Sequence, residues 1–300
     1  MNKKLIALAV AAAVTGGVSV AQAADVTGFA AAQFTVSDDT ATNESAFHPT
    51  GDTLAEVDVA AKGVRIDVDT SAGGDLNFEQ ANVTTDVGPA SLTVGVFNSN
   101  IGLEKQDVNE RSFIETGLAF NHIATQNAIN LTGANVGFKA GPAAIGVALV
   151  NDPTFTPAAG ESDKTSFGVS ADFDVAGVGV GVDYLTQDST AVGNILDLSL
   201  TYSMGALGLN FEMVNDDAVD SLYQFGGTFD AGNGITVAAR YGMQTNAATG
   251  SDDQTKLDLA VSYALADNVD VSAEYSSYDD GSTAGTTNRD VTLVGVVASF

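Results

Sequence analysis

Six charged side chains crowd one short stretch of the chain. Glu104, Lys105, Asp107, Glu110, Arg111 and Glu115 fall within residues 103–115, a run that contains neither Gly nor Pro. Carboxylates facing water raise the local concentration of cations and repel anions. Mixed charge and the lack of Gly and Pro suggest an ordered element rather than a floppy surface loop. The composition, with apolar Leu103, Val108 and Ile114 among the charges, suits a short helix. Three more charged residues, Arg65, Asp67 and Arg240, belong with this set by a different argument, which depends on the elements that carry them.

Those elements are strands. From about residue 25 to Phe300 the chain repeats a unit of about ten residues that alternates apolar with small or polar side chains and closes on Gly, Asp, Asn or Ser. Leu257, Leu259, Val261, Tyr263 and Leu265 interleave with Lys256, Asp258, Ala260, Ser262 and Ala264. A period of two puts successive side chains on opposite faces. The spacing predicts sixteen strands near 25–36, 53–61, 63–70, 75–86, 90–97, 131–139, 142–151, 164–174, 177–186, 194–203, 206–214, 222–230, 233–243, 255–265, 268–277 and 289–300. The count falls to fourteen if the weak segments near 53–70 pair differently. Such a series, with one apolar and one wet face, reads as a closed transmembrane antiparallel β-barrel with a watery interior.

Gap lengths alternate as that reading requires. Short turns fall near Lys62, Gly88, Gly141, Ala176, Gly205, Gly232 and Asp267, and longer gaps near 37–52, 98–130, 152–163, 187–193, 215–221, 244–254 and 278–288, with a shorter one at 71–74. With the amino terminus in the periplasm, the long gaps are external loops. Parity points Asp58, Arg65, Asp67, Asp183, Asp197, Glu212, Arg240, Lys256, Asp258, Asp270, Glu274 and Arg289 inward. Arg65 and Arg240 then form a small basic patch opposite the acidic loop, a transverse field for polar solutes. Phe138, Phe173, Tyr202, Phe229, Tyr263 and Phe300 are expected to face lipid at one interface, and Tyr184, Tyr223, Tyr241 and Tyr275 at the other.

The chain opens with Asn2-Lys3-Lys4, an apolar run and Ala21-Gln22-Ala23. This is the form of a secretory signal peptide over residues 1–23, leaving 24–300 as a single barrel domain of the outer membrane. Of 11 basic residues two lie in that leader, so 9 face 38 acidic ones. That excess excludes nucleic acid as a partner. The absence of Cys and the presence of two His leave no disulfide framework, no expected metal site and no expected cofactor. Beyond the leader no apolar run approaches the length of a spanning helix, yet mean hydropathy is +0.13. Apolar residues spread in alternation favour a barrel, since lipid cannot satisfy an open sheet edge.

The run Val94-Gly95-Val96-Phe97-Asn98-Ser99-Asn100-Ile101-Gly102-Leu103-Glu104 resembles the strand-to-loop signature of OmpL-like barrel porins and of phosphate-selective porins, where G-x-F leads into an I/F-G-L-E segment. The leader, the terminal Phe300 and the long third loop resemble Gram-negative porins at large. The resemblance implies that residues 98–130 fold into the lumen as a constriction, and it implies a homotrimer. The chain lacks the P-E-F-G-G loop motif of enterobacterial porins and the dense Arg and Lys lining that phosphate selectivity implies.

Together these features lead us to expect a passive diffusion channel for small hydrophilic solutes and ions, weakly cation-selective. Selectivity would rest on Glu104, Lys105, Asp107, Glu110, Arg111, Glu115, Arg65, Asp67 and Arg240. Membrane lipid and lipopolysaccharide are the expected surroundings, and Asp38-Asp39, Asp252-Asp253 and Asp279-Asp280 could bridge the latter through divalent cations. The alternative is a structural or adhesive barrel with acidic external loops and a blocked lumen. Ser112, Asn121 and His122 contain the parts of a hydrolase, but a triad is defined by geometry, and no enzyme is expected.

Overall fold

In the computed structural model, residues 24–39, 43–48, 55–70, 76–104, 107–155, 164–188, 193–216, 219–246, 253–281 and 288–300 are described. The proposed leader 1–23, Lys105 and Asp252 lie outside them. Alternation has become strand after strand: β1 Asp25–Asp39, β2 Asn43–His48, β3 Ala55–Ala61, β4 Val64–Thr70, β5 Leu76–Val87, β6 Ala90–Asn98, β7 Asn130–Ala140, β8 Ala143–Asn151 and β9 Thr165–Val175. The second half follows with β10 Val178–Leu185, β11 Ile195–Met204, β12 Leu207–Asn215, β13 Val219–Gly232, β14 Ile235–Asn246, β15 Gln254–Ala266, β16 Val269–Asp279 and β17 Arg289–Ser299.

From β3 onward neighbours in sequence pair antiparallel, and the sheet closes where β1 meets β17, from Phe29↔Ser299 to Asp39↔Arg289. On its other flank β1 pairs with β2 over Gln33–Asp38 and with β3 over Asp25–Ala30. The two short segments share one place in the wall, so the barrel has sixteen strand positions. The fourteen-strand alternative is excluded, because β3 and β4 pair along their full length, from Ala55↔Thr70 to Ala61↔Val64. One expectation needs correction: residues 37–52, read as an external loop, include a strand at Asn43–His48 that continues the β1 ladder.

Short turns sit at one end. Lys62-Gly63 and Ala176-Gly177 both take positive φ at two successive positions, 50° and 80° in the first and 53° and 84° in the second. That backbone matches the twist of a tight hairpin. The wall is apolar outside and polar inside. Phe78, Leu149, Leu265 and Phe300 are each about 60% exposed, whereas Glu56, Asp67, Asp197, Glu212 and Asp258 are 0–1% exposed. A protein in water would not arrange itself this way, since contiguous apolar surface on that scale marks a lipid or partner contact. The aromatics assigned to the girdles, among them Tyr202, Tyr241, Tyr263 and Phe300, lie on this outer face.

A packed apolar core also exists, at the end with the long connections. Phe97, Leu131, Val150, Leu185, Ile195, Val214 and Leu222 come from strand ends on the inner face and cluster with Leu118, Ala119 and Ile123. The last three belong to the helix α1, Leu118–Thr125, in the long connection between β6 and β7.

Candidate functional site

The connection from β6 to β7 is pinched at its base, where the Ser99 amide donates to the Ile129 carbonyl at 2.7 Å. From there the chain reaches side chains on the inner face of distant strands. The Leu103 amide donates to Glu212 of β12 at 3.0 Å. The Ile114 and Glu115 amides donate to the two carboxylate oxygens of Glu274 on β16, at 2.5 and 3.1 Å. Lys256 of β15 donates to the Thr116 carbonyl at 2.5 Å. Within the segment, the Gly117 amide donates to Glu104 at 2.8 Å.

These bonds explain why the predicted helix does not form where composition placed it. A helix satisfies its amides with carbonyls four residues back. Here wall and loop carboxylates take the amides of Leu103, Ile114, Glu115 and Gly117 instead, and only a single 3-10 turn, Val108–Glu110, remains in the charged stretch. The α-helix forms later, at Leu118–Thr125, where Leu118, Ala119 and Ile123 share a face that the apolar cluster buries. Apolar burial, not charge pattern, decided its position.

Arg240 of β14 is the hub of the charged contacts. Its guanidinium lies 2.9 Å from Glu104 and 2.8 Å from Asp258, donates to the Glu115 carbonyl at 2.8 Å, and stands 4.4 Å from the centre of the Phe113 ring. Arg111 is 3.8 Å from Glu104. Glu115 meets Lys256 at 3.7 Å and Arg289 of β17 at 3.4 Å. Four of the residues expected at the site, Glu104, Arg111, Glu115 and Arg240, are thus joined in one network with Lys256 and Asp258, which parity points inward.

The remaining expected residues divide. Arg65 of β4 binds Asp67 at 2.7 Å and Asp58 of β3 at 3.3 Å. Arg65 and Arg240 therefore do not make a joint basic patch: they stand on β4 and β14, each holding its own carboxylates. Glu110 is exposed. Asp107 reaches the wall near Arg65, where its carboxylate meets Glu56 of β3 and Glu79 of β5, with ligand oxygens of all three within 4.8 Å of one another. Burial, with Glu110 and Asp58 close by, raises the Asp107 carboxyl above its ordinary value.

Sequence reasoning missed Glu56, Glu79 and Gln224, the last of which accepts from the Ala119 amide and donates to Glu212, each at 3.4 Å. Glu56 shares the inward parity of Asp58 and could have been found. Glu79 could not, because a bulge on β5 sets Asp67 opposite Gln80 but Val68 opposite Phe78, so Glu79 and Gln80 are both buried in succession. Such a bulge re-aims a side chain against the alternation. His122 bonds Asp216 at 2.5 Å and Gln126 at 2.8 Å, so its polar contacts lead away from Ser112 and no Ser–His pair is assembled there.

Polar space remains beside the loop. A cavity of about 580 Å³ is lined by Asp86, Asn100, Asn135, Lys139, Ser170 and Asp172. Another of about 290 Å³ lies between Asn98–Glu104 and the wall residues Asp172, Asp183 and Ser199. Water and small polar solutes fit such surroundings.

Comparison with known proteins agrees with this geometry. The family model described as phosphate-selective porin O and P matches residues 58–288. No curated protein matches the sequence. Among solved structures, a loop-deletion mutant of OmpT, an outer membrane protein of Vibrio cholerae, is similar at 12% identity with TM-score 0.67, covering 92% of this chain and 99% of that one. The trimer form of in-vitro folded OmpT is similar at 12% identity and TM-score 0.64, covering 92% and 99%. A triple mutant of the Rh. blastica porin is similar at 16% identity and TM-score 0.59, covering 92% and 100%. At such identities the likeness is one of fold.

Proposed function

Because the chain belongs to the phosphate-selective porin O and P family, an outer-membrane channel family, we propose that it passes small hydrophilic solutes and ions by passive diffusion with weak cation preference. Residues 98–130 narrow the passage, and Glu104, Asp107, Glu110 and Glu115, with Lys105, Arg111, Arg65, Asp67 and Arg240, set its selectivity.

One observation carries the sign of that preference. Five basic groups around the loop, among the described residues, already hold carboxylates: Arg65 with Asp58 and Asp67, Arg111 with Glu104, Arg240 with Glu104 and Asp258, Lys256 with Glu115 and Asp258, Arg289 with Glu115. Capturing phosphate, as the family's name has it, calls for convergent Arg or Lys donors free to meet its oxygens. Here the surplus is acidic, with exposed Asp172 and Glu110 adding negative charge to the inner face and loop. A carboxylate surplus favours cations.

The small outward residues Ala30 and Ala32 on β1 allow close barrel-to-barrel approach, and a trimer form is on record for the OmpT neighbour. A homotrimer in a lipid and lipopolysaccharide bilayer is the assembly we propose. The test is a planar bilayer under a salt gradient. A reversal potential of the sign for cation preference, moved toward zero in Glu104→Gln/Glu110→Gln, supports the reading. Anion preference, or no solute flux in liposome swelling, refutes it.

A further inference from the structure

We propose that Glu56, Glu79 and Asp107 bind a divalent, oxygen-seeking cation of the Ca²⁺ class, which ties the loop to the β3–β5 side of the wall. Three observations converge. The three carboxylates come from separate elements, two strands and the loop, and their nearest oxygens all lie within 4.8 Å of one another. Two oxygens bound to one such ion at ~2.4 Å stand at most ~4.8 Å apart, so the spacing is that of a shared ligand set.

Second, both strand carboxylates are buried, with Asn130 beside Glu79 but outside hydrogen-bond geometry. Glu56 is 1% exposed and Glu79 5%, and all four of their side-chain oxygens are without a hydrogen-bond partner among the described residues. Buried charge without a partner is costly and therefore rare in a folded protein. Arg65, the basic group bonded nearby, is engaged by Asp58 and Asp67. Asp69, Asp67 and Glu110 add only negative charge around Glu79 and Asp107.

Third, this contact differs in kind from the loop's others. On the β14–β17 side the loop carboxylates Glu104 and Glu115 meet Arg240, Lys256 and Arg289. On the β3–β5 side the loop presents Asp107 to two more carboxylates. Carboxylates brought this close are stabilised by a bridging cation or by shared protons, and the two are separable by experiment. The bulge that turns Glu79 inward beside Gln80 builds the third ligand position at the cost of a ladder irregularity. Hard carboxylate oxygens suit Ca²⁺, which accepts six to eight oxygens of flexible arrangement, water completing the shell.

The test uses the full barrel refolded in detergent, stripped with chelator and titrated calorimetrically with Ca²⁺ at neutral pH, beside thermal unfolding with and without the ion. The expected result is a saturable site, one per chain, with a higher melting temperature in Ca²⁺. Both effects vanish in Asp107→Asn and in Glu79→Gln, and both persist in Asp174→Asn, which removes an exposed carboxylate elsewhere. Asp107 lies in the loop, so its variant leaves the wall intact even where Glu79→Gln fails to fold; strand content by circular dichroism checks this. Binding that survives in Asp107→Asn assigns the ion to other carboxylates and overturns the proposal. So does the absence of any cation dependence at neutral pH, which would leave the cluster held by shared protons.

Discussion

Replacing Arg240 with Met tests the joint between loop and wall directly. The side chain is 6% exposed, and those of its partners Glu104 and Asp258 are 9% and 2% exposed, so solvent screens the contact little. Removing one member of a buried ion pair costs about 3–5 kcal/mol, because the other charge stays buried and unpaired. Two neighbours soften the loss. Arg111 remains 3.8 Å from Glu104, and Lys256 remains 3.5 Å from Asp258. The cost therefore falls at the low end, about 3 kcal/mol. Since ~1.4 kcal/mol is a factor of ten, the undocked fraction of the loop should rise about 100-fold.

Hydrogen exchange reads this best, because it reports local opening without unfolding the barrel. The amides of Ile114, Glu115 and Gly117 donate to Glu274 and Glu104 in the docked loop. Their protection should fall about 100-fold in Arg240→Met, while amides in β7–β11 keep theirs. Single-channel recordings should show larger and noisier conductance. Adding Glu104→Gln should restore part of the protection, since it removes the stranded charge, with a coupling of about 2 kcal/mol. Unchanged protection at Ile114–Gly117, or strictly additive effects of the two substitutions, would refute the hub role of Arg240.

Three further outcomes follow from the same contacts. Ile123→Ala should cost about 2–5 kcal/mol of loop docking, because Ile123 is 0% exposed in the apolar cluster; exchange over Leu118–Thr125 should rise while the charged network keeps its protection. Gly95→Ala should destabilise the β5–β6–β7 region by about 2 kcal/mol, since Gly95 has φ 129° and a Cβ there would lie 2.2 Å from the Ala81 carbonyl oxygen; an unchanged melting temperature would contradict it. In chelator, docking near Asp107 should weaken as pH rises. Burial raises the Asp107 carboxyl, so the folded state holds its proton more tightly than the unfolded one. The stabilising contribution is then full at acid pH and is lost as pH climbs through the raised value. Glu56, Glu79, Asp58, Glu110 and Arg65 face the group, and Ca²⁺ should abolish the slope.

Alternation made the wall legible. Asp67, Asp183, Asp197, Glu212, Arg240, Lys256, Asp258 and Glu274 are buried on the inner face that parity assigned them, because a one-residue slip would have turned every apolar partner the wrong way. Three things escaped that logic, each for a physical reason. Glu79 lies in a bulge, where period two fails. The α-helix was misplaced because its site is set by inward apolar residues such as Leu185, Ile195 and Val214, which the rule of a polar interior overlooks. The anchors of the charged stretch were invisible because Glu274 and Ile114 are 160 residues apart in sequence.

The loop is therefore held by two chemistries, and this links its fixation to its selectivity. α1 is secured by apolar burial, which is indifferent to charge. Residues 103–117 are secured by Arg240, Lys256 and Arg289, drawn from a chain with 11 basic and 38 acidic residues. Each cation spent on docking the loop is unavailable to attract an anion, and each leaves neighbouring carboxylates in surplus. On the β3–β5 side Arg65, the described basic group nearby, is already engaged by Asp58 and Asp67, and that is where we propose an external cation. Substitutions that loosen the charged contacts should accordingly move conductance and ion preference together, whereas Ile123→Ala should move conductance alone.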